Sequence, residues 1–355
     1  MSAASRSDAP SPTRDLGLDA ARGIAIVAMV VAHAVPWFVA PQPLRAIIGQ
    51  VNDLASPLFA LVMGVSAGLV ARRVVAARAP RWPTVAQFAV RAVLLVVIGE
   101  LLGKINIWIA VVLQPLGLTA LIGAFVMFLR VRYVAVLAVV LWLLQLLNTY
   151  PGNEPNDASW RHPAHWLHVY VLSDSHYRVT GLLPVFLLGL ILGRVGHCRP
   201  RVLRATLALG VAAAAAWVIG RALGWSTYPG RFVDNTHDLA LSAIVFALVG
   251  MATAAAPRAG TVIRALIRTL LRPVATIGTV ALSLYALQFV LIKLLVQHPV
   301  GWLPYGWKPA VVFIVTCLLI AWLWARLIGT GPVEWVVNLL SGRRLVRRLG
   351  QRAAG

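Results

Sequence analysis

The sequence predicts an all-α polytopic transmembrane helical bundle of about ten spans with both termini cytoplasmic. Three observations predict it. Apolar runs of about twenty residues recur along the chain, the length one helix needs to cross about 30 Å of hydrocarbon. Charged residues make up only 12% of a chain that is 60% hydrophobic. The basic residues collect in alternate short loops. The runs lack the strict alternation of a barrel strand, so helices are what can satisfy the backbone inside lipid.

Taken in order, residues 1–17 are rich in Ser, Ala, Pro and Asp and read as a disordered cytoplasmic tail. The transmembrane domain follows over 18–335, and 336–355 is a basic cytoplasmic tail. The predicted spans are 18–39, 54–71, 84–103, 107–129, 132–149, 179–195, 201–221, 237–255, 274–297 and 309–330. With the N-terminus inside, twenty-one basic residues fall on the cytoplasmic side and seven outside. That asymmetry sets the orientation. The formal net charge of +21 would suit nucleic acid, but its placement in short loops suits anionic membrane lipid instead, so no nucleic-acid partner is expected. Between the eighth and ninth spans, 261–271 carries Arg264 and Arg268 among Ile263, Leu266, Ile267 and Leu270 and reads as an amphipathic segment at the inner interface.

Two cysteines, Cys198 in a basic loop and Cys317 inside a late span, form no disulfide framework or metal-binding spacing. His162, His165 and His168 sit in the long outer loop 150–179 with no carboxylate or cysteine at comparable spacing. That loop reads as a Trp- and His-rich interfacial cover, and no metal is expected.

Chemistry concentrates in the polar residues of the spans, because ionisable groups in lipid are costly and tend to mark a cavity or pathway. On the first span, Arg22 and His33 lie about 20° apart in azimuth and about 16 Å apart along the axis. One stripe therefore carries a cation near the cytoplasm and an imidazole in the outer half. Snorkelling with a bond to Asp19 is the plain reading of Arg22, and a structural hydrogen bond that of His33. Asp53 enters on the second span at a depth like that of His33, where a carboxylate would fix the imidazole tautomer and leave a base. Gly64, Ser66, Ala67 and Gly68 give that span a small face for close packing or a slender ligand arm. Arg91 lies nearer the cytoplasm and is placed to join Arg22. Asn52, Glu100, Asn106, Gln114, Asp234, Asn235, His237, Asp238, Ser283, Tyr285 and Gln288 gather mostly in the outer half. Of these, Asn52, Glu100, Gln114, His237, Asp238 and Gln288 are the candidate substrate contacts.

With Arg22, His33 and Asp53 in place, the chain resembles the transmembrane acyltransferase superfamily. LDAARGIAIVAMVVAH (Leu18 to His33) resembles its first-span signature. NDLASPLFALVMGVSAGL (Asn52 to Leu69) resembles the Asp-containing second span of the heparan-alpha-glucosaminide N-acetyltransferase-like branch. LLPVFLLGLILGR (Leu182 to Arg194), VATIGTVALSLYALQ (Val274 to Gln288) and GPVEW (Gly331 to Trp335) resemble YeiB-like bacterial membrane proteins. The resemblance implies a multi-pass protein of a bacterial-type cytoplasmic (inner) membrane. It implies transfer of an acyl group, acetyl first of all, from cytoplasmic acyl-CoA to a sugar or lipid-linked acceptor of the cell envelope at the outer face. His33 and Asp53 then take the catalytic places, with Arg22 and Arg91 holding the CoA phosphates. One departure is that 36–50 has no histidine, where the glucosaminide branch has one shortly after its first span. A transporter or flippase for a lipid-linked envelope intermediate would use the same buried polar cavity and remains the alternative.

Overall fold

The structure is a computed structural model and describes residues 15–37, 42–107, 109–147, 177–227, 230–257, 260–297 and 306–342. Its α-helices are α1 (Leu16–Ala34), α2 (Gln42–Ala76), α3 (Trp82–Gly103), α4 (Leu113–Val126), α5 (Val131–Leu144), α6 (Val179–Val195), α7 (Pro200–Ala222), α8 (Phe232–Ala255), α9 (Thr261–Gly278), α10 (Ala281–Gln297), α11 (Trp307–Leu327) and α12 (Pro332–Leu340). No strand occurs among the described residues. The outer-loop histidines lie outside them.

Among the described residues, six helices are long and apolar enough to cross a membrane, and a seventh span results if α9 and α10, bent by 71° at their junction, count as one. The helices α4, α5 and α6 are apolar but shorter. A 14-residue helix such as α4 reaches only about 21 Å. Each of the ten predicted runs contains helix, but the described residues supply six or seven helices of full spanning length rather than ten.

Two boundaries differ from the sequence reading. The stretch before Asn52 is helical from Gln42 onward, because Pro43 in the first turn costs no backbone bond and presets the helical φ. Asp53 is thus held inside a continuous helix rather than at a span's first turn. The interfacial segment and the start of the ninth span form one helix, α9, which passes Pro273 and ends at Gly278. There Thr279 and Val280 donate to Thr276 and Ile277 in tight i to i−3 bonds, and α10 departs at the bend.

Helix α1 is the hub, touching α2, α8, α9, α10 and α11, with Ala20, Ala21, Ala25, Ile26, Val30 and Ala34 fully enclosed. Asp15 caps it, accepting from the Leu18 amide at 3.1 Å. A hydrogen bond from His197 holds the Asp15 carboxyl down at about 2, against the upward push of burial.

The small face of α2 is spent on packing. A Cβ at Gly64 or Gly68 would lie 2.0 or 2.3 Å from the Phe186 or Leu190 carbonyl oxygen of α6, and one at Gly189 or Gly193 would lie 2.1 or 2.3 Å from that of Leu61 or Val65. Reciprocal GxxxG faces therefore bring the two backbones together, as in lipid, where close van der Waals contact drives helix pairing. The outward faces of α3, α5 and α7 present Val93, Val97, Leu101, Val136, Val139, Leu143, Val211 and Val218, the surface a bilayer covers.

Contacts sort the helix ends as the loop charges do. Arg194 donates to the Leu129 carbonyl, Arg81 sits over Phe128 and His197 meets Asp15 at one end. Gln145 meets Asn235 and Asp53 meets His237 at the other.

Candidate active site

At the end of the bundle away from the start of α1, α2 and α8 bring together a strongly polar group. His237 is buried, with Nδ1 3.7 Å from Asp53 Oδ2 and 3.9 Å from Asp238 Oδ1. Its Nε2 lies 2.6 Å from Gln50 Oε1. Asn52 Nδ2 donates to the other Asp53 oxygen at 3.1 Å. The Trp217 ring of α7 lies against the imidazole with centroids 4.5 Å apart, and the Arg221 guanidinium covers Trp217 at 5.2 Å. The carboxylates face one ring nitrogen and Gln50, an exposed side chain, occupies the other. One imidazole and two carboxylates, their ligand atoms within 4.8 Å of one another, are also a set that a divalent cation accepts.

The expected pairing of His33 with Asp53 does not form. His33 Nδ1 lies 2.6 Å from Gln288 Oε1 on α10, with Tyr285 and Phe289 edge-on at 6.3 and 6.4 Å. Asp53 is drawn instead to α8, whose first turns pack on α2. Since an amide oxygen only accepts, the His33 proton sits on Nδ1 and Nε2 carries the lone pair. Gln288 is fully buried, and its Nε2 has no hydrogen-bond partner among the described residues. Tyr285 accepts from the Val112 amide at 3.2 Å, tying α10 to the start of α4.

Near the N-terminal end, Arg22 donates to Asp19 at 3.0 Å and to Ser66 at 3.3 Å. Arg91 reaches Asn338 of α12 at 3.4 Å, so these two arginines engage different elements. A more basic surface lies beside α1. A recess of about 750 Å³ is lined by Asp19, Arg268, Arg272 and Arg326, with Thr269 and Thr276 from α9, Thr279 just past its end and Trp322 from α11. Gln114 is buried against Gly99, the neighbour of Glu100 on α3, and its Oε1 is without a partner among the described residues. It belongs to the α3–α4 contact, apart from both imidazoles' hydrogen bonds.

Sequence reasoning missed Gln50, Trp217 and Arg326 as site residues, and it used Arg268 only for topology and an interfacial segment. Trp217 and Arg221 sit four apart on one helix face, a visible signal, but nothing local says that α7 turns that face to His237. A second missed network joins Arg178 and Asn235, both donating to the Gly230 carbonyl, with Asn235 also donating to Gln145 at 2.5 Å.

The profile of the family described as heparan-alpha-glucosaminide N-acetyltransferase, catalytic, matches residues 14–224, more than half of the chain. A second, described as a protein of unknown function (DUF418), matches residues 194–343. No curated protein matches the chain. Both polar pairs cross from one match to the other: Asp53 and His33 lie in the first, His237 and Gln288 in the second.

Proposed function

Because the chain belongs to the heparan-alpha-glucosaminide N-acetyltransferase catalytic family, we propose that it transfers an acetyl group from acetyl-CoA to a sugar or lipid-linked hydroxyl or amine at the outer face of a bacterial-type cytoplasmic membrane. The observation that carries this reading is the convergence of Asp53 and Asp238 on one nitrogen of His237. When an acceptor displaces Gln50, the proton that Nε2 gives to the amide oxygen passes to Nδ1, where a carboxylate holds it and stabilises the imidazolium that forms as Nε2 takes the acceptor's proton. Gln50 Oε1 stands where an acceptor hydroxyl or amine would sit, and Trp217 supplies a flat apolar wall beside it.

The acceptor oxygen or nitrogen attacks the thioester carbonyl carbon as its proton passes to His237. The carbon–sulfur bond then breaks, and the CoA thiolate leaves with a proton returned from the imidazolium. Gln288 Nε2, a buried donor without a partner among the described residues, suits the carbonyl oxygen as it becomes an oxyanion, since such a donor needs no rearrangement to act. His33 holds that amide in place through its own Nδ1–H. The donor's phosphates suit the recess of Arg268, Arg272 and Arg326, at the end where α1 begins. Arg22 then serves at its edge through Asp19.

A second assignment of the base has its own observation: the bond to Gln288 leaves His33 Nε2 as a free lone pair. Acetyl transfer from labelled acetyl-CoA to a glucosamine glycoside, by protein reconstituted in lipid, separates the two. His237→Ala should abolish transfer while the donor stays bound and slow thioester hydrolysis persists. His33→Ala should depress transfer and hydrolysis together. Transfer near the wild-type rate in His237→Ala would move the base to His33, and absence of both transfer and hydrolysis in the wild type would sink the enzyme reading. A transporter would favour paired helix breaks in matching halves, and the described residues contain one such bend, between α9 and α10.

A further inference from the structure

At the bundle end opposite His237, three ligating side chains of different chemistry meet outside the membrane spans. Asp15 uses Oδ1 to cap α1, which leaves Oδ2 to face the turn between α6 and α7. There His197 Nε2 lies 2.6 Å from Oδ2, and Cys198 Sγ lies 3.4 Å from Oδ2 and 3.1 Å from Nε2. Gly196, in the left-handed region at φ 115°, reverses the chain at the end of α6 and delivers the two residues to Asp15.

We propose that Asp15, His197 and Cys198 form a binding site for a zinc-class divalent cation. The three atoms lie within 4.8 Å of one another. A tetrahedral zinc ion with bonds of about 2.0–2.3 Å separates its ligand atoms by about 3.3–3.6 Å. The two contacts of Cys198 are already near that spacing, and the Asp15–His197 pair must open by under about 1 Å. The side chains allow it, since Asp15 is about one-third exposed, at 34%, and Cys198 is exposed. That exposure also provides the entry path and a fourth position for water. A nitrogen, a thiolate and a carboxylate together suit a borderline metal, whereas magnesium and calcium favour oxygen alone. Helix capping by itself accounts for Oδ1 and leaves the meeting of the other three atoms unexplained. His197 is buried, and its Nδ1 finds no partner among the described residues, so the ring's polar engagement points into this cluster.

Binding balances as follows. Cys198 loses its thiol proton to water as the sulfur–metal bond forms. The imidazole proton shifts from Nε2 to Nδ1, and Asp15 exchanges a hydrogen bond for a metal bond. The ion would pin the start of α1 to the α6–α7 turn, and α1 carries Arg22 and His33. The inference does not depend on the acetyl-transfer reading.

Cobalt(II) titration of the purified full-length protein in detergent, under reducing conditions, tests it. A thiolate-to-cobalt charge-transfer absorption should appear, saturate at one equivalent and disappear on addition of zinc. It should be lost in Cys198→Ser, kept in Cys317→Ser, and weakened at least tenfold in affinity in Asp15→Asn, which preserves the cap. His162→Ala with His165→Ala and His168→Ala should leave it intact, since those residues offer no sulfur. Thermal unfolding should rise with zinc in the wild type and not in Cys198→Ser. No sulfur-to-cobalt band, or a band that survives Cys198→Ser, would overturn the site.

Discussion

Asp53 directs Oδ2 to Nδ1 of His237 at 3.7 Å, while His33, on the neighbouring helix α1, turns to the neutral amide of Gln288 at 2.6 Å. The two imidazoles thereby acquire different electrostatic surroundings. One faces the carboxyl groups of Asp53 and Asp238; the other is held by a neutral amide. A reaction that needs one proton acceptor and one preorganised neutral donor finds both, each assembled from one residue in either family-matched segment.

Gln288→Met tests the neutral pair. The substitution is nearly isosteric and fully buried, so folding should survive while the unpartnered donor is removed. Removing one oxyanion donor typically costs about 10²-fold in kcat. The expected result is a kcat lower by about that factor for both transfer and hydrolysis, with KM for acetyl-CoA within about threefold of wild type. An unchanged kcat would return Gln288 to a structural role.

The recess beside α1 predicts where donor affinity resides. Hydrogen bonds to charged groups contribute about 1.5–3 kcal/mol each, so Arg268→Ala or Arg326→Ala should weaken acetyl-CoA binding at least tenfold without shifting thermal unfolding. Arg91→Ala, which loses a 3.4 Å contact with Asn338 of α12, should leave donor affinity nearly unchanged. Equilibrium binding in detergent checks both, and the reverse ranking would place the phosphates with Arg91.

What the sequence made legible follows the range of the interaction. Apolar runs and the loop-charge alternation are local or periodic, and the helices appear where those signals lie, whereas the cap at Asp15 falls inside the stretch that reads as a tail. Asp53 and His237 were each visible as costly polar residues in the outer half, but their pairing was not, because depth along a helix leaves the partner helix undetermined. The recess was hidden for the same reason: Arg268 read as part of an interfacial segment that ended before Arg272, and nothing local sets both beside Asp19 and Arg326. Cys198 lacks metal-like neighbours in sequence apart from His197, and its third partner is at the other end of the first six helices.

The α2–α6 crossing predicts a large stability effect from a small change. Gly189→Leu places a side chain where the Leu61 carbonyl of α2 leaves no room for a Cβ. Overpacking costs about 1–3 kcal/mol when side chains can yield, and here the obstacle is backbone, so the cost should reach at least the top of that range. Thermal unfolding in detergent should fall by several degrees or the protein should fail to accumulate. Gly49→Ala, at a position with nothing nearby, serves as the neutral comparison.

The last prediction concerns Glu334 of the GPVEW stretch, whose carboxylate closes the start of α10. Oε1 accepts from the Leu282 and Ser283 amides at 2.7 and 3.1 Å, and Oε2 accepts from the Ser283 hydroxyl. That hydroxyl in turn accepts from the Val333 amide at 3.0 Å. The first amides of a helix have no intrahelical acceptor, and an anion there also meets the positive end of the helix dipole. At a 71° bend no preceding turn can supply these acceptors, so the tail helix α12 does so from fifty residues away. Losing an N-terminal cap costs about 0.5–2 kcal/mol, and an unsatisfied buried amide about 1–3 kcal/mol. Glu334→Ala should therefore lower the thermal midpoint measurably, while Glu334→Gln, which keeps one acceptor oxygen but no charge, should fall between it and wild type. Gly331→Ala should resemble Glu334→Ala, because a Cβ there would lie 2.1 Å from Glu334 Oε2 and 2.4 Å from Ser283 Oγ. Because α10 also carries Tyr285 and Gln288, the same variants should lower kcat more than they weaken acetyl-CoA binding. A Glu334→Ala protein with wild-type midpoint and kcat would mean that α10 holds its position without the cap.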